Sequence, residues 1–493
     1  MNVLFIYPDI INYFFHEGFV SFDVASLSAS LKNISCKTAL IHQTKKIKKE
    51  ELLSRVRSFH PDLIIFSVTT NMYIDIYSYV QEWASWIKND NAQVKIVCAG
   101  DYPTVFPDEV IDDQNMDMVC IGEAELSLVE LCEKMRRKDN YLVTEGIWIK
   151  DDSGKVHKNK IRPPVSNLDV LPFPDRSIFD FKNLSPGGEA IVMLSRGCPF
   201  SCTYCCNVTL NKIYVDNGYK YVRSRSPQNS IQELQGILQE FNFIKRFSFH
   251  DFTLSLNKAW FREFAVEYKN KINLPYSCNL RPDLVSAEVV SLLKLSRCYQ
   301  VRMAIESGND YIRAKVLNRN ITRKQLSNAF SLCKDAGLQV YSYNMLGLPF
   351  EDLGMMLETV KINADLNTDV SQVMIFYPWE KTQLYKTCKE NNLILKKEKN
   401  RNYLREPILN CGIVKRNQTM FTQRYFRSLV VFYKSILKLP QSVFKIMDAI
   451  LVNVMFSSFS SMTLLPVLTG FIDLIRKVKV LGRAAQTICR DNL

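Results

Sequence analysis

The stretch Arg196-Gly197-Cys198-Pro199-Phe200-Ser201-Cys202-Thr203-Tyr204-Cys205 decides how the chain is read. Just before it, residues 190–194 form a short apolar run that reads as a strand, so three thiols spaced CxxxCxxC fall on a loop at a strand's carboxyl end. Cysteine thiolates are the natural ligands of iron–sulfur clusters, and a cubane held by only three of them keeps one iron open to another ligand. An open iron points to chemistry rather than electron storage. A zinc site would need a fourth ligand, which Cys206 or a distant histidine could supply, and buried unreactive thiols are a third reading. Spacing alone leaves all three open.

Downstream the pattern repeats. Strands are expected at 190–195, 246–251, 276–281, 301–306, 340–346 and 370–377, with helices at 227–240, 258–268, 287–295, 322–336 and 352–366 between them. Six such strands predict an open, partial (β/α)6 barrel over 189–379, with its working groups at the strand carboxyl ends. Besides the cysteine loop, those ends carry His250-Asp251, Asn279-Leu280-Arg281, Glu306-Ser307-Gly308 and Gly347-Leu348-Pro349. A carboxylate such as Glu306 can accept both hydroxyls of a ribose, and Gly308 lets backbone come close.

Upstream, apolar runs at 2–7, 38–42, 62–68, 94–99 and 116–121 alternate with amphipathic segments at 21–31, 49–59, 73–87 and 124–135. This predicts a parallel, doubly wound α/β sheet over 1–136, whose ligands sit outside the strand carboxyl ends. The loops there hold Ser67, Thr69, Gly100, Thr104, Gly122 and Glu123. Residues 137–188 read as a connector, with a hairpin of 146–149 and 156–158 and an extended Leu171-Pro172-Phe173-Pro174 linker.

The cysteine loop after the first strand of such a repeat resembles that of the radical S-adenosylmethionine (SAM) enzymes. The likeness extends through Tyr221-Val222-Arg223-Ser224-Arg225-Ser226-Pro227, Phe249-His250-Asp251-Phe252-Thr253, Ile305-Glu306-Ser307-Gly308 and Gly347-Leu348-Pro349, which are similar to successive signatures of the cobalamin-dependent branch. Ala99-Gly100-Asp101-Tyr102-Pro103-Thr104-Val105-Phe106-Pro107 and Gly122-Glu123-Ala124-Glu125 resemble that branch's GGxHxTxxP and GEGE pair, with Ala99 and Ala124 in place of glycines and Tyr102 in place of the histidine. The DxHxxG motif is absent around His16, where Phe14 and Phe19 stand in for its Asp and Gly.

The resemblance implies that Cys198, Cys202 and Cys205 hold a 4Fe-4S cluster whose fourth iron is chelated by SAM. It implies that Glu306, with Ser307 and Gly308, meets the SAM ribose, and that Gly347 to Pro349 border the adenine. Ser67, Thr69, Gly100, Thr104, Gly122 and Glu123 would seat cobalamin without a histidine ligand. His250 and Asp251 stand where the branch usually has two acids, and are candidate catalytic groups. The implied activity is reductive cleavage of SAM and methyl transfer to an unactivated carbon. Cyclisation, oxidation or ring rearrangement, and a non-catalytic iron–sulfur sensor, are the alternatives.

Composition fits a folded protein: 47% of the 493 residues are hydrophobic and 23% charged. Fourteen cysteines without an export signal at the start predict a reducing, cytoplasmic setting. Sixty-three Lys and Arg against 50 Asp and Glu give +13, compatible with an anionic membrane surface, a phosphorylated substrate or nucleic acid. With no appended RNA-binding module recognisable, nucleic acid ranks last. The region 380–493 is expected to be mostly helical, with basic runs at 386–405 and 476–483 and no charge between Asp448 and Asp473. It predicts a cap on the barrel, an interfacial element or, least favoured, a membrane span. The expected partners are a small molecule, bulky and apolar in the manner of a lipid, isoprenoid or tetrapyrrole, and an electron donor such as flavodoxin or ferredoxin.

Overall fold

The structure is a computed structural model that describes residues 1–10, 18–69, 76–395, 406–468 and 470. His16, residues 396–405 of the basic run expected at 386–405, and the whole of that at 476–483 lie outside the described residues.

The first sheet contains β1 (Asn2–Pro8), β2 (Lys37–Gln43), β3 (Leu63–Ser67), β4 (Lys95–Ala99), β5 (Met118–Cys120), β6 (Ile147–Lys150) and β7 (Val156–Lys158), in the order β2-β1-β3-β4-β5-β6-β7. β1 to β5 are parallel. Side-chain alternation explains why both faces need helices: Leu4 and Ile6 enter one core, whereas Val3, Phe5 and Tyr7 enter another on the opposite face. Phe5 is wholly buried, so truncation to Ala would cost about 3–5 kcal/mol. The chain order reverses at β1, between β2 and β3, which opens a crevice at the carboxyl ends.

The hairpin expected in the connector forms, but it does not stand free. β6 runs antiparallel to β5 and extends the sheet, because β5 would otherwise expose an unpaired edge and β6 offers buried Ile147 and Ile149 to cover the same core.

The second sheet has β8 (Glu189–Val192), β11 (Arg246–Phe249), β12 (Tyr276–Leu280), β13 (Cys298–Glu306), β14 (Gln339–Leu346) and β15 (Val370–Ile375). All are parallel, in the order β15-β14-β13-β12-β11-β8, an open half-barrel as expected. Two short strands, β9 (Ser195–Arg196) and β10 (Arg223–Ser224), pair antiparallel beside it. Helices Pro227–Glu240 and Ala287–Leu295 begin and end where the sequence predicts, each fixed by a serine N-cap, Ser226 and Ser286. The expected strand at 190–195 is broken after Val192. There the Asp251 carboxylate accepts from Leu194 N, and Ser195 leaves the sheet to pair with Ser224.

Beyond the half-barrel, helix Gly412–Ile436 lies along Leu353–Asp365. Phe421, Phe426, Tyr433 and Ile436 bury themselves against Met356, Leu357 and Val360, a cap on the barrel flank. Helices Gln441–Ile450 and Ser458–Met462 follow. No helix among the described residues is long and apolar enough to cross a membrane.

Candidate active site

The cysteine loop is held at four places. At its entrance Asp251, 1% exposed, accepts from Leu194 N at 3.0 Å and from the Ser195 hydroxyl. In its middle Asn318 donates to the Ser201 carbonyl at 3.0 Å and the Thr203 hydroxyl donates to Val316 O at 2.6 Å. Leu384 N, from the segment after the barrel, donates to Thr203 O at 2.9 Å. Asp251 therefore positions the loop; burial raises its pKa to about 6 against the hydrogen bonds that lower it.

Cys202 is buried, with Cys198 and Cys205 half-buried. Burial raises the Cys198 thiol, and the charges of Cys205 and Cys202 raise it further, so the three sense one another. A hydrogen bond from Cys206 lowers Cys205 to about 6. Among the described residues no three His, Cys, Asp or Glu side chains converge as one metal ion would need.

Across the loop, β13 ends in a bulge at Glu306, whose φ of 66° is in the left-handed region. Such backbone is rare for a residue with a side chain and re-aims it. Its Oε1 accepts from the Tyr204 hydroxyl at 2.8 Å, and burial raises the carboxyl above its ordinary value, opposed by Arg319. Arg319 lies beside Cys202 with its Nε buried and unpartnered. Ser307 is fully buried and its carbonyl accepts from Arg313 at 2.7 Å. Gly308 serves packing: a Cβ there would collide with the Glu358 carbonyl, and its N–H donates to Thr359 Oγ1 at 2.8 Å. The Gly347-Leu348 turn is fastened by Glu351, whose Oε2 accepts from both N–H groups at 2.7 and 3.1 Å. Pro349 follows within that turn, and Thr419 of the helical cap lies against Gly347.

Between the two sheets lies a cavity of about 520 Å³, within the range of ligand pockets. Thr69, Gly100, Thr104, Gly122 and Glu123 line it from the first sheet's carboxyl ends, and Met193 to Gly197 and Cys206 from the cysteine loop's side. Of the loop residues singled out in the sequence, Ser67 is buried behind this wall, its hydroxyl unpartnered. Thr104 donates to Gly100 O at 2.7 Å and accepts from Gly122 N at 3.0 Å, tying two loops together. Gly122, at φ 83°, leaves room for the Tyr214 hydroxyl, which accepts from Glu123 N at 2.7 Å. Glu123 pairs with Arg223 and, at 3.2 Å, with Arg196; Glu125 pairs with Arg196 at 2.5 Å. Asp23 and Asp101 also face the cavity, and burial raises Asp101 to about 7, with Asp23 adding to it.

A model of the radical SAM superfamily matches residues 192–362, and one of the B12 binding domain matches 21–132. The chain thus carries a radical SAM domain over 192–362 and a B12 binding domain over 21–132. It is 27% identical over 344 residues to an uncharacterised methyltransferase of Pyrococcus horikoshii, covering 69% of this chain and 72% of that one. It is 23% identical over 405 residues to the anaerobic magnesium-protoporphyrin IX monomethyl ester cyclase of Rubrivivax gelatinosus, covering 78% and 69%. Among solved structures it shares its fold with the cobalamin-dependent SAM radical enzyme OxsB, at TM-score 0.73 and 15% identity over 98% of this chain and 81% of OxsB. It likewise resembles the radical SAM methyltransferase TsrM of Kitasatospora setae, at TM-score 0.65 and 14% identity over 79% and 76%.

A radical SAM domain implies a 4Fe-4S cluster and SAM, and the B12 binding domain implies cobalamin. The residues fit these groups. The thiols are the right donors, and the orphaned Arg319 Nε beside them offers a hydrogen bond to the carboxylate of SAM. The cavity presents acidic acceptors to the amide donors that fringe a corrin. No histidine lines it among the described residues. Tyr102, in the place of the motif histidine, turns away into the core, stacking near Tyr77 and Phe106 and donating to Glu109 at 2.8 Å.

Sequence reading missed Arg196, Tyr204, Tyr214, Arg302 and Arg319. The first two lie inside the quoted cysteine stretch, yet their partners are over 70 residues away and only folding supplies them. Arg302 carried a signal, a charge inside the apolar run 301–306.

Proposed function

We propose that the protein reductively cleaves SAM and transfers a methyl group to an unactivated carbon of a bulky, mainly apolar substrate. The observation that carries this reading is the cavity wall shared by the cysteine loop and the carboxyl ends of the first sheet. When bound, the cluster and SAM supply a hydrogen-abstracting radical, and cobalamin a transferable methyl group. Cys198, Cys202 and Cys205 ligate the cluster; Asp251 fixes their loop; Glu306 and the Gly347 to Pro349 turn orient the ribose and adenine of SAM. A one-electron donor of the flavodoxin or ferredoxin kind completes the system. By division of labour, 1–136 binds cobalamin, 137–188 connects, 189–379 binds the cluster and SAM, and 380–493 covers the barrel.

The apolar substrate is supported by the C-terminal helices. Ile446, Ile450 and Val454 are 59%, 56% and 62% exposed in one stripe, and Phe459 is 78% exposed. Lys438 and Lys445 are exposed nearby, whereas Asp448 is tied inward by Tyr433 at 2.6 Å and Lys361 at 2.8 Å. An apolar stripe rimmed by cations suits the surface of an anionic membrane.

Anaerobically reconstituted protein given SAM and a reductant should release 5'-deoxyadenosine, and a sensor would not. Flotation with anionic vesicles, weakened by salt, tests the surface. Cyclisation of a tetrapyrrole-like substrate is the second reading, favoured by the likeness to the Rubrivivax cyclase. Incorporation of label from methyl-labelled SAM separates the two.

A further inference from the structure

The lumen of the half-barrel holds a charge that the protein leaves unmatched. Along β13, Val301, Met303 and Ile305 are fully buried under the helices, while Arg302, Ala304 and Glu306 lie on the other face. Arg302 donates Nη2 to Phe249 O at 3.0 Å, and its Nη1 is 3.4 Å from His250 Nε2. Its Nε is buried without a partner, and among the described residues no carboxylate pairs with it. In register on β12, Asn279 donates Nδ2 to Asp251 O at 3.0 Å and leaves Oδ1 buried and unpaired. Tyr343, whose β14 neighbour in register is Ala304, senses the Arg302 charge.

Guanidinium only donates, so His250 must accept at Nε2 and keep its proton at Nδ1. Burial, then Arg302, pulls its pKa down to about 4, and the ring is neutral at physiological pH. Arg302 is half-buried, but its Nε is buried, and buried donors are nearly always satisfied in folded proteins. A water molecule could fill one hydrogen bond but would not neutralise the charge. The guanidinium fork matches a carboxylate or phosphate. The SAM carboxylate already has a cation at Arg319, whereas Arg302 precedes Glu306 by four residues, about 13 Å down the strand.

We propose that Arg302, with His250 and Tyr343, is the subsite for an anionic group of the substrate. The molecule modified is an apolar body bearing a carboxylate or a phosphate, and that anion pairs with Arg302 in the lumen. The proposal rests on the reading of the half-barrel as the place where substrate binds.

Calorimetric titration of the anaerobically reconstituted full chain with octanoate, octyl phosphate and octan-1-ol tests it, because the probes share a tail and differ in the head. At least one anion should bind about tenfold or more tightly than the alcohol, the worth of a charged hydrogen bond. Which anion wins separates carboxylate from phosphate. Arg302→Leu should abolish the preference, and Arg302→Lys should retain a weaker one. Equal binding of all three probes by the unaltered protein, or none, overturns the subsite, as does a preference at full strength in Arg302→Leu. Should that variant not fold, Arg302→Gln replaces it under the same criteria. The readout needs no turnover: release of 5'-deoxyadenosine without anion preference would sink the subsite alone.

Discussion

At the rim of the first sheet Glu123 and Glu125 meet Arg223 and Arg196 from the other sheet's side, whereas in the half-barrel lumen Arg302 meets no carboxylate among the described residues. Both regions are polar and partly buried, and both belong to parallel sheets. The difference lies in who satisfies the charge. Where the protein does so itself, the carboxylates join two domains; where it does not, a ligand is the natural partner. Motif likeness alone would have assigned both regions to ligands, since Glu123 lies in a motif associated with cobalamin.

The comparison breaks most violently at the three thiols of the cysteine loop, which the lumen depends on and the ion pairs of the first rim do not. Cys202→Ala should abolish the electron paramagnetic resonance signal of the reduced cluster and bring 5'-deoxyadenosine to background. The same protein, reconstituted with hydroxocobalamin, should still keep its corrin absorbance through gel filtration. A surviving cluster signal would remove the assignment of Cys198, Cys202 and Cys205.

Removing a matched charge should cost stability rather than ligand. Glu125→Ala leaves Arg196 its second partner Glu123 but removes the charge-assisted bonds from Arg196 and Ser26, a loss of about 3 kcal/mol in urea unfolding. Acidity gives the same answer without mutation. Burial pushes the Glu125 carboxyl up, but the Arg196 charge, with hydrogen bonds from Arg196 and Ser26, outweighs it and holds the pKa at about 2. The unfolded chain, at the ordinary 4.5, takes up protons first, so this stability is present above pH 4.5 and lost as pH falls toward 2. A Glu125→Gln protein should show a flatter acid limb; an unchanged limb would mean that the pair does not join the domains.

How much of this was legible beforehand follows from the range of each interaction. The half-barrel's strands and helices were readable because hydrophobic period is local, and the helices expected at 227–240 and 287–295 do form there, each behind a serine cap that only the structure shows. The cysteine loop was readable because its donors are adjacent in sequence. Strand ends were not, because Asp251, some 57 residues away, takes the Leu194 N–H that would otherwise extend β8. Nor was the role of Gly308: its glycine reads as room for a cofactor, yet the Glu358 carbonyl of a later helix is what fills the space. Arg302 was passed over because only the assembled lumen shows that nothing pairs with it.

A smaller effect is expected from the unmatched cation. Because burial and Arg302 hold His250 at about 4, below its ordinary 6.5, the unfolded chain binds this proton between those values and the folded one does not. Stability from the neutral ring is present above pH 6.5 and drains away as pH falls toward 4, by at most about 3 kcal/mol over the window and by less where water reaches the half-buried ring. His250→Gln should lose that slope. Arg302→Leu should shift the window toward lower stability loss, since one of the two causes is gone. If His250→Gln titrates like the unaltered protein, the ring is not held neutral beside a cation.

The smallest effect belongs to Tyr102, and it asks whether motif position or side-chain direction decides what touches cobalamin. By position Tyr102 replaces a histidine; by direction it points into the core, 5.0 Å from the ring centroids of both Tyr77 and Phe106. Its hydroxyl donates to Glu109, an exposed residue, so Tyr102→Phe removes one hydrogen bond to a charged group that water can solvate instead. The cost should be about 1 kcal/mol, near the lower end for such bonds. The corrin spectrum and its retention should not move, because the lining of the cavity comes from Gly100, Asp101 and Thr104 on either side of that position and not from Tyr102 itself. A shifted absorbance maximum in Tyr102→Phe would show that the ring reaches the cofactor after all, and would make this rim a ligand-held region like the lumen.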